Sequence, residues 1–171
     1  ANGILLKSAE ALETAHGIDT VVLDKTGTIT KGQPAVTDMA AVNGTDETGL
    51  LQVAASLEKL SEHPLAEAIV SEAESRNIPF LPVKNFRQIP GQGIIGEIDG
   101  HKCYAGNRRM LEENHIEGGK LMALGDEMAN EGKTPLFFAR GNQLMGAIAV
   151  ADVVKPTSKQ AIDELKQMGI E

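Results

Sequence analysis

Tryptophan is absent from the 171-residue chain, tyrosine occurs once and phenylalanine four times, so any core must be built from aliphatic side chains. The single cysteine, Cys103, cannot close an internal disulfide, which favours a reducing, cytosolic setting. The first residues show no charged-then-apolar leader pattern. No long hydrophobic run exists: the longest, Leu144 to Ala151, is broken by Gly146 and falls far short of the roughly 18 residues a bilayer helix needs. Basic residues are the scarcer charge. Sixteen Lys and Arg face twenty-four Asp and Glu, a net charge of −8, the wrong sign for a chain that neutralises phosphate backbones, so nucleic acid is not expected as a partner.

What remains is a globular pattern of two styles. Leu5 to His16 reads as a helix with Gly17 stopping it in the left-handed conformation. Thr20-Val21-Val22-Leu23 reads as a strand buried on both faces, and Gly27, Gly32 and Pro34 mark the following segment as loop. From about Val36 to Leu144 a second style takes over. Thr45 and Asp46 can cap a helix through Leu50, Leu51, Ala54 and Leu57, and Pro64 opens another through Leu65, Ala68, Ile69 and Ala73.

Three short strands follow, at Val83 to Ile89, Gly93 to Ile98 and His101 to Ala105, with Asp99-Gly100 as a two-residue hairpin turn. Asn107 can cap a helix, a further helix runs through Leu121, Leu124 and Met128, and Thr134 to Ala139 pairs with Gln143 to Ala151 across Gly141-Asn142. The first style returns at Pro156, set as the first helical residue before the apolar face Ala161, Ile162, Leu165 and Met168. Ile170-Glu171 looks like the start of a parallel strand, which suggests a piece of something longer. The expected class is α/β at the two ends and α+β between.

The heptad Asp24-Lys25-Thr26-Gly27-Thr28-Ile29-Thr30 is the most specific signal. A carboxylate at the C-terminal end of a parallel strand lies where open α/β sheets keep their sites. Gly27 lets backbone N–H groups face an anion, the hydroxyls of Thr26 and Thr28 add donors, and Asp24 can attack phosphorus to form an aspartyl phosphate. Ser61-Glu62-His63-Pro64-Leu65 places a flat imidazole and a carboxylate at a helix start. Gly91-Gln92-Gly93-Ile94-Ile95-Gly96 has dinucleotide-like spacing in the wrong context, with Pro90 before it and a strand after it. A dinucleotide fold is rejected there, while Gly91 and Gly93 still permit close approach of a ligand. Gly132-Lys133-Thr134 lacks the first glycine of a P-loop, positions 127 and 128 being Glu and Met. His16, His101 and His115 have no metal-ligand spacing, and Cys103 and the Met residues at 110, 122, 128 and 168 read as core.

The heptad resembles the phosphorylation motif of the P-type ATPases, cation pumps of the haloacid-dehalogenase superfamily, and Ser61 to Leu65 resembles the adenine-contacting motif of their heavy-metal (P1B) branch. The resemblance covers essentially the whole chain and is greatest to bacterial copper-transporting pumps. It implies a partial haloacid-dehalogenase-like, Rossmann-type phosphorylation domain in residues 1–33 and 146–171, around an inserted nucleotide-binding domain in 34–145, an antiparallel sheet flanked by helix hairpins. Asp152 to Pro156 matches the hinge of the return. It further implies Asp24 as the phosphorylated nucleophile within Lys25, Thr26, Gly27 and Thr28, ATP held by Glu62, His63, Gly91, Gly93 and Asn107, and Mg²⁺ at Asp24 and Thr26 together with loops outside the chain.

The partners implied are ATP and a heavy-metal cation, Cu⁺ before zinc or cadmium, bound by membrane parts outside the chain. The setting implied is the cytoplasmic side of the plasma membrane, with the fragment a monomer. Thr26 stands where related phosphatases carry a second Asp, so a phosphoenzyme would be stored rather than rapidly hydrolysed. A stand-alone phosphohydrolase and a non-catalytic nucleotide-binding module are the alternatives.

Overall fold

Neighbouring residues of the central strands are both apolar in Ile94-Ile95 and Phe137-Phe138, and a sheet made from them must be covered on both sides because successive side chains point to opposite faces. The computed structural model describes residue 5 and residues 8–171. They form two compact units, one of the described residues up to Gly32 with Val154–Glu171, the other Gln33–Val153.

The larger unit is built on six strands: β1 (Thr30–Ala41), β2 (Lys84–Ile89), β3 (Gly93–Ile98), β4 (His101–Gly106), β5 (Thr134–Arg140) and β6 (Gln143–Val154), in the spatial order β1-β6-β5-β4-β3-β2. Neighbours from β2 to β6 pair antiparallel. Helices α2 (Glu47–Glu58) and α3 (Pro64–Ser75) belong to one core, with Leu50, Leu51, Leu57, Ile69, Ile94, Ile98, Phe138 and Ile148. Helices α4 (Arg108–Glu113) and α5 (Leu121–Asn130) belong to the other, with Ile95, Tyr104, Met110, Leu111, Phe137 and Leu144. The register of β5 and β6 skips from Ala139↔Leu144 to Phe138↔Gly146. Met145 is the extra residue of this bulge, which lets Leu144 and Ala147 serve one core while Met145 and Ile148 serve the other.

Local signals explain the connections. Asp46 Oδ1 accepts from Gly49 N at 2.7 Å and caps α2. Asp99 and Gly100 both have positive φ, 52° and 75°, the geometry of a two-residue hairpin turn between Ile98 and His101. Gly132 N and Lys133 N close the end of α5 on the Ala129 and Met128 carbonyls. Lys133 is then held between Asp38 at 2.8 Å and Glu131 at 2.7 Å.

Four local expectations are corrected. β1 is a twelve-residue strand where Gly32 and Pro34 suggested loop; at the sheet edge a proline costs no ladder hydrogen bond. Thr20 to Leu23 is not a buried strand. Val21 N donates to Glu171 O at 2.7 Å and Glu171 N to Asp19 O at 2.8 Å, a single parallel bridge, and Val22 is 93% exposed. In the smaller unit α1 spans Ala9–His16 behind the Ser8 cap, with residues 6 and 7 of the expected helix outside the described residues, and Gly17 closes it at φ −90° rather than left-handed. Pro156 precedes α6 (Ser158–Gln167) by two residues, and Met168 is exposed rather than core.

Truncating Leu50 to Ala, at a fully buried site, should cost about 2–5 kcal/mol, while Asp46→Ala removes only a cap and should cost about 0.5–2 kcal/mol. Urea denaturation of the two variants checks the ranking; equal losses would contradict it.

Candidate functional site

Two places carry candidate chemistry, one in each unit. In the smaller unit the chain after Asp24 makes a wide turn from Lys25 to Thr30. Gly27 takes φ +79°, a conformation that costs other residues strain. Thr30, buried, clasps the turn: its hydroxyl donates to Lys25 O at 3.0 Å and accepts from Gly27 N at 3.3 Å. From the returning segment, Lys155 Nζ donates to Gly27 O, Lys155 N to Ile29 O at 2.9 Å and Ser158 Oγ to Ile29 O at 2.7 Å. The structure thus fixes the turn from inside while Asp24, Lys25, Thr26 and Thr28 stay exposed. Among the described residues no group of three His, Cys, Asp or Glu could hold a metal. Mg²⁺ takes one or two carboxylates with substrate phosphates and waters rather than an all-protein cage, and the exposed side-chain oxygens of Asp24 and Thr26 suit such a share of its ligands.

In the larger unit a cavity of about 310 Å³ opens between the start of α3 and the β2–β3 and β4–α4 connections. His63, Gly91, Gly93 and Asn107 all line it, so four of the five residues singled out from sequence converge. His63 is the N-cap of α3: Nδ1 accepts from Leu65 N at 3.2 Å, which in a neutral ring leaves the proton on Nε2 and fixes the imidazole plane. Asn107 caps α4 through Oδ1, accepting from Met110 N at 3.2 Å, and Nδ2 donates to Gly91 O at 2.8 Å. One amide therefore ties the helix start to the glycine turn. Gly93 has φ +148°, and a Cβ there would lie 2.1 Å from the Ala105 carbonyl oxygen. Any side chain at 93 forces β3 off β4, so its replacement is a folding lesion as well as a change in the cavity wall.

Glu62 is the exception. It is exposed and lines a neighbouring surface depression that shares Glu58, Ser61 and His63 with the cavity, but does not line the cavity itself. The carboxyl in the cavity wall is Glu58, the last residue of α2, only 6% exposed. Sequence reasoning passed over it, although Leu51, Ala55 and Glu58 share one helical face and a charge on an apolar stripe is itself a signal. Burial pushes the Glu58 carboxyl up to about 7, against a hydrogen bond with Ser61 that lowers it. No Lys or Arg lines the cavity, and among the described residues no ion pair reaches Glu58. The remaining wall is mostly apolar, with Leu65, Ile89, Ile94, Pro135 and Leu136. Such a lining suits a flat, weakly polar ring rather than a polyanion.

The raised Glu58 value has a consequence for stability. The folded state holds the proton more tightly than the unfolded chain, so the contribution of Glu58 is full below about pH 4.5 and is lost as pH rises through about 7, amounting to about 3 kcal/mol. Glu58→Gln should therefore gain on the wild type across that interval. Urea midpoints of the two proteins at several pH values measure it; a constant difference would show that Glu58 ionises freely.

A family model described as haloacid dehalogenase-like hydrolase matches residues 18–171. A copper-transporting P-type ATPase of Rhizobium leguminosarum bv. viciae is 45% identical over 168 residues, 98% of this chain and 20% of that protein. A copper-exporting P-type ATPase of Staphylococcus aureus strain JH9 is 46% identical over 173 residues, 99% of this chain and 21% of that protein. The chain thus spans about a fifth of the length of the curated relatives it matches. Among solved structures, a zinc-transporting PIB-type ATPase in an E2.Pi state is similar with a TM-score of 0.87 and 30% identity, covering 98% of this chain and 27% of that one. On this combined footing the chain belongs to the haloacid dehalogenase-like hydrolase family and is homologous to the catalytic domains of copper- and zinc-transporting P-type ATPases.

Proposed function

We propose that this chain is the ATP-binding and phosphoryl-accepting portion of a copper-exporting P-type ATPase, working on the cytoplasmic side of the plasma membrane. The observation that carries the reading is the cavity of the larger unit. It is apolar, walled by a fixed imidazole, a glycine turn and a buried carboxyl, and has no cation in its lining. Such a cavity takes the base and sugar of a nucleotide and leaves the triphosphate toward solvent, where its γ-phosphate can be handed on. His63 stacks on the purine; Gly91 and Gly93 let the backbone pass close to it; Asn107 positions that turn; Glu58, rather than Glu62, faces the polar edge of the base. A triphosphate beside a carboxyl would be repelled, so Glu58 marks the base end.

The boundaries of these tasks follow the two compact units, with residues 33–153 binding nucleotide and the remainder accepting phosphate. At the other site Asp24 Oδ attacks the γ-phosphorus, the bond to the β,γ-bridging oxygen breaks, and ADP departs with that electron pair, leaving an acyl phosphate. Lys25, Thr26, Gly27 and Thr28 shape the rim that receives the transferred group. Thr26 offers no carboxylate to activate water, so the acyl phosphate persists, as a pump that stores energy in it requires. Mg²⁺ is expected to accompany the ATP; Asp24 and Thr26, with phosphate oxygens and loops outside the chain, would hold it, and it would offset the negative charge of the transferred group. The transported cation, Cu⁺, is bound elsewhere in the pump, and the isolated chain is expected to be a monomer.

Titrating the chain with ATP should move amide resonances around His63, Gly91, Gly93 and Asn107. His63→Asn keeps the helix cap and removes the ring, so it should weaken ATP binding by roughly 5- to 150-fold, as for a lost stack worth about 1–3 kcal/mol, at little cost in stability. Shifts centred elsewhere, or an unchanged affinity in His63→Asn, would refute the site. Asp24→Asn should leave ATP affinity unchanged while abolishing acid-stable, hydroxylamine-sensitive labelling from γ-labelled ATP in the full-length pump; persistent label would remove Asp24 from the reaction.

A further inference from the structure

Resting on the nucleotide reading above, we infer that Arg109 is a phosphate-binding residue of the nucleotide site, neutralised by Glu113 until the phosphates of the nucleotide take that partner's place. Phosphate is held best by charge-assisted bonds, and the cavity lining carries no Lys or Arg. Any cation that the larger unit offers a triphosphate therefore stands at the rim.

The two sides of the rim differ. On the Glu58 side lies the outer depression, where Lys59 shares the surface with Glu62 and Glu67 and lays its ammonium over the Phe80 ring at 4.0 Å. Two carboxylates there repel a polyanion. On the other side is the glycine turn. Gln92, between Gly91 and Gly93, lines the cavity, and its side chain reaches α4, where Nε2 donates to Glu113 Oε2 at 2.8 Å. The second oxygen of that carboxylate, Oε1, accepts from Arg109 Nε at 2.8 Å. One carboxylate thus bridges the turn and a guanidinium.

Other cations near the turn are already committed. Arg108 donates to Met122 O at 3.2 Å and to Asp126, and the Lys133 ammonium lies between Asp38 and Glu131 with its side chain 23% exposed. Arg109 is different. Its side chain is 68% exposed, and among the described residues its guanidinium is bonded through Nε alone, which leaves both terminal amino groups of the fork to meet two phosphate oxygens. An ion pair this exposed contributes little to stability, so trading the carboxylate for a more highly charged phosphate costs little. The trade leaves Gln92 bonded to Glu113, so the turn that faces the nucleoside need not move.

Affinities for ATP and for adenosine, measured by amide chemical-shift titration of the chain without Mg²⁺ at about 0.15 M salt, separate the phosphates from the nucleoside. The wild type should bind ATP roughly fivefold to tenfold more tightly than adenosine. Arg109→Gln should bring that ratio to about one or below with adenosine affinity unchanged, and Arg109→Lys should keep part of the preference, a point charge replacing the fork. Arg76→Gln is the charge-matched control. Arg76 pairs with Glu72 at the same i,i+4 spacing, at the end of α3 away from the cavity, so its loss should leave the ratio at the wild-type value. Added salt should shrink the wild-type ratio and leave that of Arg109→Gln flat. Glu113→Gln should raise ATP affinity and not adenosine affinity, because the competing carboxylate is gone; urea curves confirm that each variant is folded. A wild-type ratio in Arg109→Gln, or an equal fall in Arg76→Gln, overturns the inference and leaves the cavity as a nucleoside site. Lower ATP affinity in Glu113→Gln overturns the exchange of partners. Binding of neither ligand by the wild type overturns the nucleotide reading and the inference with it.

Discussion

No side chain fits between β3 and β4 where Gly93 faces the Ala105 carbonyl, nor between β4 and the turn before β3, where a Cβ on Gly106 would lie 2.4 Å from the Gln92 carbonyl oxygen. These two missing Cβ atoms let the strands and their connecting turn close on each other. Asn107 then pins the turn from the other side, through its backbone N to Gln92 O at 2.9 Å and its amide to Gly91 O. The floor of the cavity is thus backbone held by backbone. Its walls come from the helices that cover one face of the sheet, α2 supplying Glu58 and α3 supplying His63. Loosening the close approach would disturb the sheet, the start of α4 and the cavity together, which is why the small residues matter more here than the charged ones.

The proposed reading divides recognition and chemistry between the two units, and each candidate site is held by contacts within its own unit. The cavity is stiffened by a sheet covered on both faces, with a mainly aliphatic core around Phe138. The turn after Asp24 is fixed by Thr30 from within and by Lys155 and Ser158 from the returning chain. Those bonds go to carbonyls, leaving the exposed carboxylate of Asp24 and the hydroxyls of Thr26 and Thr28 available to a ligand. Absence of a cation from the cavity lining fits a division in which the cavity grips the base and not the triphosphate.

What could be read from sequence was what local chemistry decides. Asp99-Gly100 requires two positive φ values, Asn107 and Asp46 cap helices within three residues, and Pro64 starts α3; each is settled by near neighbours. What escaped was settled by distant ones. β1 reads as loop because Gly32 and Pro34 are breakers, and only an edge position, set by pairing with β6, makes them harmless. Thr20 to Leu23 has the composition of a buried strand, yet burial depends on partners, and among the described residues its backbone bond is the one from Val21 to Glu171. Glu62 drew attention through its place beside His63, but the path of the chain turns it to the surface. Glu58, four residues earlier, lies on the apolar stripe of α2 and is carried inward by the packing of that helix.

The central claim is that one cavity in residues 33–153 holds the base of ATP while phosphate chemistry belongs to Asp24. A crystal structure of the chain with a non-hydrolysable ATP analogue tests it most directly. The account predicts the purine beside the His63 ring, its 6-amino group within hydrogen-bond distance of Glu58, the Gly91–Gly93 turn against the nucleoside, and the triphosphate outside the cavity. A nucleotide seated elsewhere, or one with its phosphates beside Glu58 and its base in solvent, would contradict it.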